Sequence, residues 1–591
     1  MKYIVSILII CLSFPTTLSA QQEIVFTNRA LELGIDFTYN NQSFGGGVSF
    51  CDWNGDGWDD LTFASSNGQK IFVMKNNGGN GFITQTQIGI EVAAPSKTIL
   101  WLDYDNDGDK DLFVANTDHS NKLYRNNGNM TFTDITGLSG ISTASQETIA
   151  ACAGDYNNDG FLDLYITNRS SLIPNYLYRN NGNGTFTDVT PLAGVADASR
   201  LPLAASFLDV NRDGWQDIYI ANDRMQGNTL FINNGNGTFD DVSANSDAGI
   251  DMDAMGIAIG DYDNDDDLDM YISNTEVGNA LLQNDGSGNF TNIAFAEGVE
   301  VNKVCWGVNF LDYDNDMDLD LYVSVNHPSP EVVDISNAFF ENTGSAFQLR
   351  NNVGMELDSS FSWGNAIGDL NNDGYYDIAD INSLPDKFAV WQNSASENNW
   401  LKLTLEGTVS NRDAVGSIIE VHVAGQKFIR STHCGISYLS QNSGTEIIGL
   451  GTANKADSIV VYWPLGDTDT YYDLTAGLTH HLTEGIDVPT GIDDEVAALT
   501  SFQLHGNYPN PFNPSTTIRY ELNRSSSVTL TIYNSRGAEI RTITSNSQLA
   551  GINEIRWNAK SNAGNSVASG VYYYRLQAGS AVRSGKMILL K

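Results

Sequence analysis

Asp103-Tyr-Asp-Asn-Asp-Gly-Asp-Lys-Asp111 is one of seven copies of a nine-residue acidic loop; the others begin at Asp52, Asp155, Asp209, Asp261, Asp312 and Asp369, 51 to 57 residues apart. Acid or amide side chains stand at loop positions one, three, five and nine. The sets are Asp52, Asn54, Asp56 and Asp60; Asp103, Asp105, Asp107 and Asp111; Asp155, Asn157, Asp159 and Asp163; Asp209, Asn211, Asp213 and Asp217. The last three are Asp261, Asp263, Asp265 and Asp269; Asp312, Asp314, Asp316 and Asp320; Asp369, Asn371, Asp373 and Asp377. Alternate residues of a tight loop point the same way, so positions one, three and five converge and nine closes the cage. Trp58, Asp109, Phe161, Trp215, Asp267, Asp318 and Tyr375, at position seven, can add a backbone carbonyl. Such an all-oxygen set suits a hard cation, and calcium better than magnesium, which keeps its waters.

Charge supports a cation. Three or four carboxylates in one loop repel each other when nothing lies between them. For any single loop, an Asp/Asn-rich turn without metal is the alternative; seven loops in register favour metal. Seven calcium ions would take the formal charge from −41 to about −27. Position six is glycine in five loops, which suits a sharp reversal, but Asp266 and Met317 in the fifth and sixth. Met tolerates a left-handed backbone poorly, so the sixth loop is expected to be strained or weaker for calcium.

Each repeat also carries strands. Thr98-Ile-Leu-Trp-Leu102 leads into a loop and Asp163-Leu-Tyr-Ile-Thr167 leaves one. Tyr176-Leu-Tyr-Arg-Asn-Asn181 follows, and a glycine turn delivers Thr185-Phe-Thr-Asp-Val189. Four antiparallel strands per repeat make one propeller blade, and blades stack around an axis to bury their faces. The predicted fold is all-β: a seven-bladed calcium-loop β-propeller over residues 21–397, then a small β-domain and a C-terminal immunoglobulin-like β-sandwich. Phe26-Thr-Asn-Arg-Ala-Leu-Glu-Leu-Gly-Ile35 matches the blade ending at Phe186-Thr-Asp-Val-Thr-Pro-Leu-Ala-Gly-Val195. Residues 24–31 should therefore close the ring beside Lys387–Gln392, hiding two sheet edges.

The acidic charge disfavours nucleic acid and anionic membranes as partners. Residues 1–20 read as an export signal, with Lys2, an apolar run from Ile4 to Phe14, and Leu18-Ser19-Ala20 before the cut. A signal anchor is the alternative. The run is too short to span a bilayer, and no transmembrane segment is expected in the mature chain. Cys51, Cys152, Cys305 and Cys434 fit no metal or redox spacing and are expected to be free buried thiols.

The acidic repeats over residues 43–400 resemble the FG-GAP/VCBS family of calcium-loop propellers. That resemblance implies structural calcium and a role in adhesion or sugar binding. Residues 398–485 hold short alternating strands, and carry Ser410-Asn-Arg-Asp-Ala-Val-Gly416, Gly435-Ile-Ser-Tyr-Leu-Ser-Gln441, Gly449-Leu-Gly451 and Val461-Tyr-Trp-Pro464. They resemble the ASPIC/UnbV domain, and the whole chain resembles the bacterial cartilage-acidic-protein-like group. Residues 486–500 read as a linker. Residues 501–591, with Asn507-Tyr-Pro-Asn-Pro-Phe-Asn-Pro-Ser515, Gly570-Val-Tyr-Tyr-Tyr-Arg-Leu576 and a Lys586-Met-Ile-Leu-Leu-Lys591 ending, resemble the C-terminal sorting domain of the type IX secretion system. A constitutive third domain is the alternative. The sorting resemblance implies export through the periplasm, type IX machinery as a partner, and release or retention at the outer-membrane surface.

Two functions follow. One is a non-catalytic binding or adhesion protein for an extracellular glycan or protein ligand, with Arg169, Asp223, Arg224 and His327 as candidate contacts opposite the acidic loops. The other is a polysaccharide-active lyase or dehydratase, which would need a base beside a charge-stabilising group. No nucleophile elbow, zinc-protease helix or phosphate loop is present. Adjacent His433 and Cys434 should point apart along a strand, and Arg412-Asp413 reads as an ion pair within a turn.

Overall fold

The computed structural model describes residues 24–590 apart from 41–42, 199, 327–335, 357, 487–489, 492–501, 523–525, 535–538, 549–550, 563 and 579–580. The expected export signal, residues 1–20, and His327 therefore lie outside the described residues.

The repeat region is a β-propeller. Its strands fall into antiparallel groups of four, such as Pro202–Leu208, Asp217–Asn222, Thr229–Asn233 and Phe239–Asp241. The first strands of successive groups are Val48–Cys51, Ser96–Leu102, Gln146–Gly154, Pro202–Leu208, Ile257–Gly260, Cys305–Leu311 and Ser362–Gly368. Each touches the next, and the last touches the first. These strands are buried along nearly their whole length, because both faces of every sheet are covered by neighbours. The second and third groups are also joined edge to edge, where Gln146 pairs with His119.

The last group supplies only three strands of its own, Ser362–Gly368, Asp377–Asn382 and Ala389–Asn393. Its fourth is Phe26–Asn28 from the start of the chain, with Phe26 opposite Asn393 and Asn28 opposite Trp391. Phe26 is buried between Tyr313 and Phe339, which anchors this closing strand by apolar contact as well as by its ladder.

The small β-domain packs two sheets face to face. One orders Thr445–Gly451, Asn399–Glu406, Thr479–Thr483 and Thr490–Gly491; the other orders Gln426–Ser431, Ile418–Val423, Lys455–Tyr462 and Thr468–Thr475. Thr490–Gly491 thus pairs with His480–His481 inside the expected linker. Leu401, Leu403, Ile419, Val421, Ile459, Val461 and Trp463 alternate inward to form its core. The C-terminal region is a second sandwich of seven strands, three in one sheet and four in the other, around Ile518, Leu530, Ile532, Trp557 and Leu576.

One segment of the small domain leaves its own sandwich. Residues 434–443 run along the propeller axis and bond the first strand of every group. Ala153 N–H donates to Cys434 O at 2.8 Å, Ser206 Oγ to Gly435 O at 3.1 Å, and Ser437 N–H to Ile257 O at 2.8 Å. Val308 N–H donates to Ser437 Oγ at 3.0 Å, Phe50 N–H to Gln441 O at 2.9 Å, Trp101 N–H to Gln441 Oε1 at 2.8 Å, and Ser443 N–H to Ile367 O at 2.9 Å. Inner strand edges that would otherwise face an open bore are satisfied by this finger. Its fit is close: a Cβ on Gly47 would lie 1.6 Å from Leu439 O.

Gly47→Ala is therefore expected to lower stability by about 1–3 kcal/mol through overpacking. Gly137→Ala, where an added Cβ meets nothing, is the control. Thermal melting of the two variants against wild type checks the difference.

Candidate metal loops and ligand cleft

Every acidic loop joins a first strand to a second strand, so all lie at one end of the ring. The backbone grips position one in the same way each time. In the second loop, Asp107 and Gly108 N–H donate to Asp103 Oδ1 and Oδ2 at 3.0 and 2.8 Å. In the sixth, Asp316 and Met317 N–H do the same to Asp312 at 3.0 and 2.9 Å. The N–H of position seven then donates to position five, as Asp109 does to Asp107 Oδ1 at 2.9 Å. This path needs a left-handed backbone at positions four and six. Asn106 and Arg212 have φ of 57° and 55°, Asp266 79° and Met317 87°, so Met317 carries the backbone strain its side chain predicts.

Position nine is tied to the third strand. Asp163 Oδ1 accepts from Asn180 N–H at 2.6 Å and Asp217 Oδ1 from Asn233 N–H at 2.8 Å. The same asparagine then reaches the preceding group: Asn180 Nδ2 donates to Tyr104 O and Asn233 Nδ2 to Tyr156 O, both at 2.7 Å. Asn76 carries the pattern across the seam, donating to Leu370 O at 2.8 Å. Position four adds a second belt toward the following loop. Asn158 Nδ2 donates to Gly214 O at 3.0 Å, Arg212 Nη1 to Asp266 O at 3.0 Å, Asn315 Nδ2 to Gly374 O at 3.0 Å, and Asn372 Nδ2 to Gly57 O at 2.9 Å.

The second loop presents the clearest cation cage. Oxygens of Asp103, Asp105 and Asp111 lie within 4.8 Å of one another. Asp105 Oδ1 and Asp111 Oδ2 are buried without a hydrogen-bond partner. Burial, reinforced by the carboxylates of Asp105 and Asp103 and opposed by Asn126 N–H, pushes Asp111 up to about 9. Asp261, Asp263 and Asp265 converge similarly, as do Asp312, Asp314 and Asp316. Orphaned, mutually repelling carboxylate oxygens fit a hard divalent ion.

At the opposite end of the ring, Arg169, Asp223 and Arg224 come together. Arg169 pairs with Asp223, donates to Leu201 O at 3.1 Å, and stacks its guanidinium 4.3 Å over the Phe44 ring. Arg169 and Arg224, with Lys97, Asp118, Glu147 and Phe44, line a cleft of about 370 Å³. The tip of the axial finger supports it, since Tyr438 Oη donates to Phe44 O at 2.7 Å. Sequence reasoning missed Lys97, whose side chain is buried and donates from Nζ to Ser43 O and Gly45 O at 2.7 and 2.6 Å. Burial pulls its amine down to about 7.

Residues 52–108, 103–166, 155–220 and 209–272 match the FG-GAP-like repeat, 407–488 match ASPIC and UnbV, and 513–581 match the FlgD Ig-like domain. The chain carries FG-GAP-like repeats and an ASPIC/UnbV domain. It is 22% identical over 455 residues to cartilage acidic protein 1 of Mus musculus and 21% identical over 453 residues to that of Homo sapiens. Each match covers 71% of this chain but only 61% and 60% of those relatives, less than two thirds of their length. Among solved structures, the BP39L lectin from Burkholderia pseudomallei is similar at 11% identity and a TM-score of 0.43, covering 60% of this chain and 97% of that one.

The small β-domain, which contains the ASPIC/UnbV match, docks on the acidic-loop end, and its basic residues each meet a different acidic loop. Lys402 Nζ donates to Asp369 Oδ2 at 3.0 Å, Arg412 N–H to Asn106 Oδ1 at 3.0 Å, Lys427 pairs with Asp266, and Arg430 Nη2 donates to Met317 O at 2.9 Å. The two loops without glycine at position six are thus docking loops: Asp266 offers Lys427 a carboxylate, and Met317 packs against the ASPIC/UnbV core. Arg412 and Asp413 do not pair within their turn. Arg412 binds Glu406 at 2.6 Å and Asp413 binds Lys110 at 2.5 Å, because the acidic loop and the neighbouring strand offer stronger partners than an adjacent residue can.

His433 donates from Nδ1 to Phe207 O at 3.2 Å and accepts at Nε2 from Ser431 Oγ at 2.8 Å, making no bond to Cys434, and burial pushes the Cys434 thiol up to about 12. All four described cysteines are free and buried. Among the described residues, no helix is long and apolar enough to cross a membrane.

Two outcomes are expected. Asn233→Ala removes the amide bonds to Tyr156 O and Gln216 O, leaving buried carbonyls unpaired at a cost of about 1–3 kcal/mol in urea unfolding. Burial also raises Asp60 to about 8. Acids whose folded pKa is raised favour the folded state below the unfolded value of 3.8, and lose that advantage as pH rises through about 8 for Asp60 and about 9 for Asp111. Melting temperature in excess chelator is therefore expected to fall as pH climbs from about 5 to about 9.

Proposed function

We propose that the chain is a secreted or cell-surface binding protein, a seven-bladed ring stiffened by calcium in its acidic loops, that offers a non-catalytic site to an extracellular carbohydrate or protein. The observation that carries this reading is the division of labour between the two ends of the ring. The acidic end is covered by the ASPIC/UnbV domain, whose finger fills the axis. The other end keeps a cleft in which Arg224 and Glu147 are exposed above Phe44 and Ile149. An apolar floor with a few charged groups at its rim is a common form of ligand site.

Catalysis finds little support in that cleft. A lyase or dehydratase needs a base that can reach substrate. Lys97 is the group with a suitably lowered pKa, yet its amine is spent on two backbone carbonyls and its side chain has no exposure. Calcium in the loops would be structural: it would join carboxylates already fixed by backbone N–H groups. Export rests on the amino-terminal signal and on the resemblance of the tail to type IX sorting domains, with that machinery as the transport partner.

A glycan array and a panel of extracellular proteins, probed with the calcium-loaded chain, test the reading. Binding is expected, and Arg224→Ala with Glu147→Ala is expected to weaken it roughly tenfold, the size of one lost polar contact, with an unchanged melting temperature. Appearance of unsaturated sugar products from any polysaccharide in millimolar calcium would replace this reading with the enzymatic one.

A further inference from the structure

The acidic loops are not equivalent, and the difference lies in one residue of the third strand. In the first and fifth groups the residue just before the clamping asparagine reaches loop position three. Across the groups it is Lys75, Arg125, Arg179, Ile232, Gln283, Glu341 and Gln392. Arg125 and Arg179 are exposed, and Gln283 donates an amide N–H to Asp263 Oδ2 at 2.7 Å. Lys75 behaves differently. It is half-buried, and its Nζ lies 2.6 Å from Asp56 Oδ2 and donates to Asn54 Oδ1 at 2.9 Å. Asn54 turns its own amide to Asp60 Oδ2 at 2.5 Å. Side chains from positions three, five and nine of the first loop are thereby engaged by one ammonium and one amide.

We propose that the first loop is a metal-free member of the array, in which the Lys75 ammonium takes the place of the divalent ion. This rests on the calcium reading of the other loops. An ammonium has three donors and a single compact charge, so it can bring Asn54 and Asp56 together as a cation would. Among the described residues, no other lysine or arginine bonds the side chains at positions three or five of a loop. Lys402 reaches the seventh loop from outside, at Asp369 Oδ2, which already accepts Gly374 N–H, and at Asn372. The location has a consequence. The first loop adjoins the seventh at the ring seam, where Asn76 donates to Leu370 O, Asn372 to Gly57 O, and Asp369 N–H to Asp59 Oδ2 at 3.0 Å. The seam between the two ends of the repeat array would stay closed when calcium is withdrawn.

Native mass spectrometry of the full chain, with calcium as the probe, tests this by comparing ion counts. Asp56→Ala is expected to leave the wild-type count unchanged, Asp105→Ala to lower it by one, and Lys75→Met to raise it by one, while Lys75→Arg, which keeps a cation, adds none. Loss of an ion in Asp56→Ala, or no gain in Lys75→Met when Asp105→Ala does lose one, would overturn the proposal while leaving calcium in the other loops intact. Absence of calcium from wild type and every variant would instead remove the calcium reading, and this proposal with it.

Discussion

One asparagine per repeat holds the propeller together. Its backbone N–H satisfies the buried carboxylate that ends an acidic loop, and in most groups its side-chain amide crosses to a carbonyl of the preceding group, as Asn180, Asn233 and Asn284 do. A buried carboxylate with nothing to bond would be costly, and so would a lone buried carbonyl. The asparagine meets both needs with one residue and makes the loop of one sheet conditional on the sheet beside it. The loops are consequently not decorations on finished blades. Their shape is set by the contact that defines the ring.

Much of this was legible in the residues. The spacing of carboxylates located every loop and the strands around it, and the match between Phe26-Thr-Asn and Phe186-Thr-Asp identified the closing strand to within a residue or two of its partners. Charge pattern and position six exposed the odd loops but not the cause, because Lys427 is 161 residues from Asp266 and the core that Met317 meets is more than about eighty residues away in sequence. The clamping asparagine was hidden by its neighbours: Arg-Asn-Asn-Gly reads as turn chemistry. The finger was hidden by its context, since Gly435-Ile-Ser-Tyr-Leu-Ser-Gln441 reads as one more strand of a small domain. Of the residues chosen as ligand contacts, Arg169 and Arg224 line one cleft and Asp223 pairs with Arg169, whereas Lys97 carries no local pattern that marks a buried lysine.

The interface between propeller and ASPIC/UnbV domain follows from charge. A ring of acidic loops at one end attracts basic side chains, and Lys402, Arg412, Lys427 and Arg430 are spread so that each addresses a separate loop. The more exposed contacts, those of Arg412 and Lys427, contribute little individually. Lys402 is the exception, because it and Asp369 are both buried, so neither can be removed without stranding the other. Apolar contact completes the joint through Met317 and Trp400.

The axial finger makes circumference and girth matched quantities. Because one short segment bonds an inner strand of every group, the bore has to be the width of that segment and no other. Repeat arrays ordinarily lengthen or shorten by whole units, since each unit contacts only its neighbours. Here a unit gained would leave the finger loose, and a unit lost would leave it no room. The size of the array is locked by a domain that lies outside it, and neither can drift in evolution without a compensating change in the other.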